Sequence, residues 1–155
     1  MTPIPIAVPS RKHKLVLPIV VGGAVAGSLD LTVAFITFGW GVPRAIAAGL
    51  LGRQVMQGGT AVWILGVLLH YCIAYLAATV YCLASRKLEF LKEHFLVCGM
   101  FYGIAVFLVM NLIVLPLSGL HATGPYQIHG LIQGLVVHMF IIGLPIAASL
   151  RFLSK

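Results

Sequence analysis

The sequence predicts an all-α integral membrane protein, a bundle of four membrane-spanning helices. Composition is the first reason. The 155 residues are 61% apolar and 8% charged, with a mean hydropathy of +1.08, whereas soluble domains carry about 25% charged residues. The second reason is length. Four stretches, 15–38, 59–82, 95–117 and 128–150, contain one Asp, Glu, Lys or Arg between them, Asp30. At about 1.5 Å per residue, each is longer than the roughly 30 Å hydrocarbon core.

The formal charge of +7 belongs to cations in short runs beside these spans. That is the pattern of membrane orientation, so no nucleic-acid partner is expected. Cys72, Cys82 and Cys98 are odd in number, lack CxxC spacing and lie in or beside spans. They read as small apolar residues.

Residues 1–14 open with three prolines in ten positions and then Arg11-Lys12-His13-Lys14. An extended tail is expected, since proline removes helical hydrogen bonds. The basic block followed by Ala24-Val25-Ala26 has some features of a signal peptide. The apolar run continues to Phe38, however, which favours an uncleaved first span. In that span Gly23, Ala26, Gly27, Asp30, Ala34 and Thr37 recur at helical spacing. This stripe of small residues allows close helix approach and turns Asp30 towards other protein instead of lipid.

The connection 39–57 predicts an interfacial helix over 43–56, with Pro43 in its first turn and Trp40 at the membrane surface. The second span carries His70 near its centre, on a face with Gly59, Trp63, Gly66, Ala74 and Ala77. A short polar connection, 85–93, leads to the third span, which opens with Gly99-x-x-x-Gly103, carries Asn111 and closes at Pro116. Residues 118–129 form a turn-rich loop holding His121, Tyr126 and His129, read as interfacial side chains. The fourth span contains Gly130-x-x-x-Gly134, Gln133, His138 and Pro145. Glycine-rich faces of this kind permit a homo-oligomer. Eight of the ten Lys and Arg fall on the side of the termini and two on the other. The positive-inside rule then expects both termini in the cytoplasm of a bacterial inner membrane protein.

Depth arithmetic yields the candidate site. His70 and His138 lie near the centres of their spans and Asp30 about one turn further out, so the three fit one layer of a bundle. Asn111 and Gln133 form a second candidate layer, about five residues from centre. A carboxylate in the membrane is costly unless paired, and imidazole is the natural partner and a proton carrier near neutrality. That combination points to a proton relay. Two imidazoles and a carboxylate also suit a divalent metal, and two histidines at equal depth suit haem b. The plain alternative is an interhelical bond that fixes register, worth about 0.6 kcal/mol on average. No nucleophile elbow or phosphate loop is present, and enzymatic activity is not expected.

The motifs G-x-x-x-H-x-x-I-A around His70, Tyr81-Cys82, Met110 with Pro116-Leu117-x-Gly119-Leu120, and Gly134-x-x-x-His138 resemble bacterial four-helix inner-membrane proteins of the YagU-like type. The resemblance covers the second to fourth spans and implies an inner-membrane location and a helical fold. Its matching positions are His70, Gly119 and His138, and the first connection here is shorter. It brings no assigned chemistry. The expectation is therefore a small transport or proton-handling protein, with a haem or metal carrier second and a structural or assembly subunit third.

Overall fold

The computed structural model describes residues 14–122 and 127–154. The expected tail, apart from Lys14, and Tyr126 lie outside the described residues. Within them, four helices are long and apolar enough to cross a membrane: α1 (Val16–Phe38), α3 (Thr60–Ala84), α4 (Phe95–Leu117) and α5 (Ile128–Leu153). A shorter helix, α2 (Val42–Leu51), joins α1 to α3. No strand occurs among the described residues. The four spans run alternately up and down. Lys14, Arg86, Lys87, Lys92 and Arg151 mark one end of the bundle, here the basic end. Trp40, Trp63 and α2 mark the opposite, aromatic end, where the rings of Phe35, Trp40 and Trp63 stack with centroids 4.5 to 6.3 Å apart.

Small residues set the helix crossings. At Gly23 and Gly27 the backbone of α1 lies so close to Tyr75, Tyr71 and Ala74 of α3 that an added Cβ would be 2.3 Å from the Tyr75 ring and 3.1 Å from the Ala74 Cβ. Gly22 makes the same kind of approach to α5, where Ser149 donates from Oγ to the Pro18 carbonyl at 3.0 Å. Gly99 and Gly103 of α4 interlock with Gly143 of α5, and a Cβ on Gly143 would stand 2.0 Å from the Gly99 carbonyl oxygen. The glycine faces from which an oligomer was expected are thus filled mainly by the chain's own helices. Gly59 and Gly130 differ: nothing lies within 4 Å of their would-be side chains.

Two departures from the sequence expectation have clear causes. The helix expected over 43–56 stops at Leu51, because Gly52 takes φ +93°, a conformation that breaks helical hydrogen bonding and suits glycine. Residues Arg53–Gln57 then form a separate 3₁₀ segment. Far from lying loose at the surface, α2 packs on α3 with Pro43, Ala47 and Ala48 buried, and the Pro43 carbonyl occupies the space left by Gly66. The second departure is in α4 and α5, which are not straight α-helices. Each contains a π turn, Met110–Val114 and His138–Gly143. Pro116 and Pro145 follow these turns. Lacking N–H, each proline frees the carbonyl four residues earlier and crowds it, and the wider turn relieves that conflict.

Valine at position 143 should therefore lower stability by about 1–3 kcal/mol through overpacking, whereas Gly130→Ala should leave it essentially unchanged. Thermal unfolding midpoints of the two variants in detergent, each against wild type, provide the check.

Candidate functional site

The spans do not close on one another along their whole length. Near the basic end Tyr102 of α4 donates from its hydroxyl to the Ala77 carbonyl of α3 at 2.7 Å, and its ring meets that of Tyr81 at 4.9 Å. Above this contact α3 and α4 part, and a cavity of about 550 Å³ opens between α1, α3, α4 and α5, with α2 at its aromatic end. Its walls are mainly apolar. Five polar side chains interrupt them: Asp30, His70, Asn111, Ser118 and His138, with Ser118 donating from Oγ to the Leu115 carbonyl at 2.8 Å.

Each of these is placed by backbone geometry. The tight crossing at Gly27 brings its carbonyl within reach of α3, and His70 donates from Nε2 to that oxygen at 2.8 Å. A carbonyl only accepts, so Nε2 carries the hydrogen and Nδ1 is the nitrogen that gains or loses a proton. Asp30 lies one turn further along α1, its Oδ2 3.9 Å from the same Nε2. The pair is an ion-pair contact when His70 is charged, and at that distance not a direct hydrogen bond. Both side chains are largely enclosed, 12% exposed for His70 and 23% for Asp30. Among the described residues no hydrogen-bond donor reaches the Asp30 carboxylate.

His138 faces the cavity from α5 at the start of the π turn. It donates from Nδ1 to the Gly134 carbonyl at 2.8 Å, and its ring meets Phe107 edge-on at 5.4 Å. Asn111 sits in the other π turn and donates from Nδ2 to the Phe107 carbonyl at 2.9 Å. The expected first layer, Asp30, His70 and His138, therefore does line one cavity. The second layer divides. Asn111 lines the same cavity from the π turn of α4. Gln133 does not line the cavity and donates to Thr37 Oγ1 at 3.3 Å, tying α5 to α1.

For a metal the arrangement is loose: among the described residues no three His, Cys, Asp or Glu side chains gather as a ligand group. Each imidazole has one nitrogen committed to a helix carbonyl, which leaves Nδ1 of His70 and Nε2 of His138 as the remaining lone pairs. His121 and His129 are both exposed and lie away from the cavity wall.

The two ends of the cavity differ. Towards the basic end its floor is dry: Ala26, Ala78, Ile146, Ala147 and Leu150 are all at most 1% exposed. The hydroxyls there are internally bonded, Tyr81 to the Leu91 carbonyl and Ser85 to the Cys82 carbonyl. Towards the side, Ile73, Val114 and Leu50 line the cavity and are 38%, 37% and 64% exposed. The mouth thus opens laterally between α2, α3 and α4. Its upper rim is pinned: the Gly119 amide donates to the Gly49 carbonyl at 2.7 Å, and Arg53 donates through Nε and Nη2 to the Leu120 carbonyl at 3.0 and 2.6 Å.

Comparison with known protein families, curated proteins and solved structures found no match to this chain. Any functional reading rests on the cavity itself.

Sequence reasoning found Asp30, His70, Asn111 and His138 but not the acceptors of the last three, the carbonyls of Gly27, Phe107 and Gly134, and it did not single out Ser118. It also missed Tyr102, whose hydroxyl closes the cavity below; its span position carries no signal of that role. The asymmetry of the cavity has a direct check. With Cys72 and Cys98 replaced by serine, cysteine at Met110 should react with a small membrane-permeant methanethiosulfonate, and cysteine at Ile146 should not. Mass spectrometry of the labelled proteins distinguishes the two.

Proposed function

We propose that this chain is a small multi-pass transport protein that works by proton exchange at Asp30 and His70, with its ligand held in the intramembrane cavity. The observation that carries the reading is the Asp30–His70 contact on the wall of a cavity closed towards the basic end. In a low-dielectric site a lone carboxylate is costly, so its charge is balanced by one cation at a time. That cation is a proton, held at Asp30 itself or at Nδ1 of His70, or else a group brought by the ligand. Binding one releases the other, and this is the physical basis of coupled exchange.

The dry floor argues against a continuous proton channel, since the side chains of Ala26, Ala78, Ile146, Ala147 and Leu150 are packed without solvent access between the cavity and the basic end. Transport then needs a second state open at that end. The π turns of α4 and α5 supply the pivots, as both helices carry their broken hydrogen bonding at the level of the cavity. The positive-inside rule places the basic end, and with it both termini, in the cytoplasm, and the reading takes the membrane to be a bacterial inner membrane. The resemblance to YagU-like proteins agrees with that location and adds no chemistry.

The test does not require the ligand. Proteoliposomes adsorbed on a solid-supported membrane are given a pH jump. Proton uptake part-way across the membrane moves charge, so wild type should give a transient current. Asp30→Asn should abolish the transient, and Gln133→Ala should keep it. A wild-type trace identical to that of empty liposomes would overturn proton exchange.

A further inference from the structure

We infer that the cavity binds a membrane-soluble organic ammonium ion, an amine with an apolar body, through Asp30. The inference rests on reading the cavity as a ligand site and names the ligand's chemical class.

The argument starts from the hydrogen-bonding character of the wall. Both imidazoles commit an N–H to a helix carbonyl, His70 to Gly27 and His138 to Gly134. In their neutral forms each can therefore offer the cavity only a lone pair. Asp30 is an acceptor outright, and among the described residues no donor meets it. The titratable equipment of the cavity is thus a carboxylate and two imidazole acceptors. Among the described residues no Lys, Arg or Glu lines it, and α2 and α4 contribute no titratable group to its wall. A site equipped with acceptors selects a ligand that carries donors, and a site with one carboxylate selects positive charge. An ammonium group supplies both. A carboxylate or phosphate ligand would meet Asp30 with like charge.

The remainder of the wall describes the rest of the ligand. Leu69, Ile73, Val106, Phe107, Val114 and Ile142 surround the polar group with hydrocarbon. A volume of about 550 Å³ falls in the range of small-molecule sites, roughly 300–1,000 Å³. The mouth at Ile73 and Val114 opens towards the side of the bundle that faces lipid. The ligand that fits is an amine that partitions into the bilayer and enters through this mouth as its ammonium ion. That ion displaces the proton that balances Asp30 in the empty state, so binding releases one proton and leaves the charge of the cavity unchanged.

The experiment is equilibrium dialysis of three probes against the protein in nanodiscs of zwitterionic lipid, with protein-free nanodiscs as baseline. The probes are naphthylethylamine, naphthylethanol and naphthylacetate, which share one apolar body and differ in head group. The amine should bind saturably at one per chain and bind the Asp30→Asn variant at least about tenfold more weakly, a loss near 1.4 kcal/mol. Asp30→Glu should retain amine binding, while naphthylethanol should bind weakly and equally to wild type and Asp30→Asn. Equal binding of amine and alcohol to wild type, or preference for naphthylacetate, would overturn the inference, and neither outcome depends on any variant folding. Asp30-dependent amine binding without a pH-jump transient would keep the ligand class and remove proton exchange. A transient without amine binding would do the reverse.

Discussion

The close approach of α1 to α3 at Gly23 and Gly27 is the contact on which the site depends. With no side chain at either position, the two backbones come near enough for a histidine on one helix to bond a carbonyl of the other. That bond fixes the ring of His70 and assigns the hydrogen to Nε2. It also holds Asp30, one turn along, at ion-pair distance from the ring but short of hydrogen bonding. A larger residue at position 27 would separate the helices, and the histidine, the carboxylate and the cavity wall would all change together. The α4–α5 crossing at Gly99, Gly103 and Gly143 plays the matching part on the other side and presents His138.

A membrane bundle has no hydrophobic driving force between its helices comparable to that of a soluble core, so packing and interhelical hydrogen bonds carry its specificity. Here the packing is uneven. The half at the basic end is closed by Tyr81, Ile146, Ala147 and Leu150 with its hydroxyls bonded internally, while α3 and α4 separate in the other half. The division explains how a chain of this size keeps a cavity. One half supplies stability, and the other is free to carry polar groups that a tighter core would exclude.

Much of this could be read from the residues. The span limits followed from apolar length, and the observed helices start or end within a few residues of them because little else in the chain competes with lipid. A place for Asp30, His70 and His138 at similar depth followed from counting rise along the helices, and all three line the cavity. The bonds that orient them did not, since a backbone acceptor comes within reach only at a particular crossing distance. The break at Gly52 escaped because glycine inside a helical pattern does not announce a positive φ. The π turn around Asn111 escaped for another reason: Pro116 marked the end of a span, and straight-helix counting leaves out the wider turn upstream of it.

The account stands on the hydrogen bond from His70 Nε2 to the Gly27 carbonyl, and solid-state NMR in lipid bilayers reads it directly. Protein labelled with ¹⁵N in histidine and ¹³C at the glycine carbonyls should show a dipolar coupling between His70 Nε2 and the Gly27 carbonyl carbon. The Nε2 resonance should be that of a protonated nitrogen, and both signals should vanish in His70→Gln. An unprotonated Nε2 with no coupling to Gly27 would mean that α1 and α3 do not cross as described, and the acceptor-lined cavity would lose its basis.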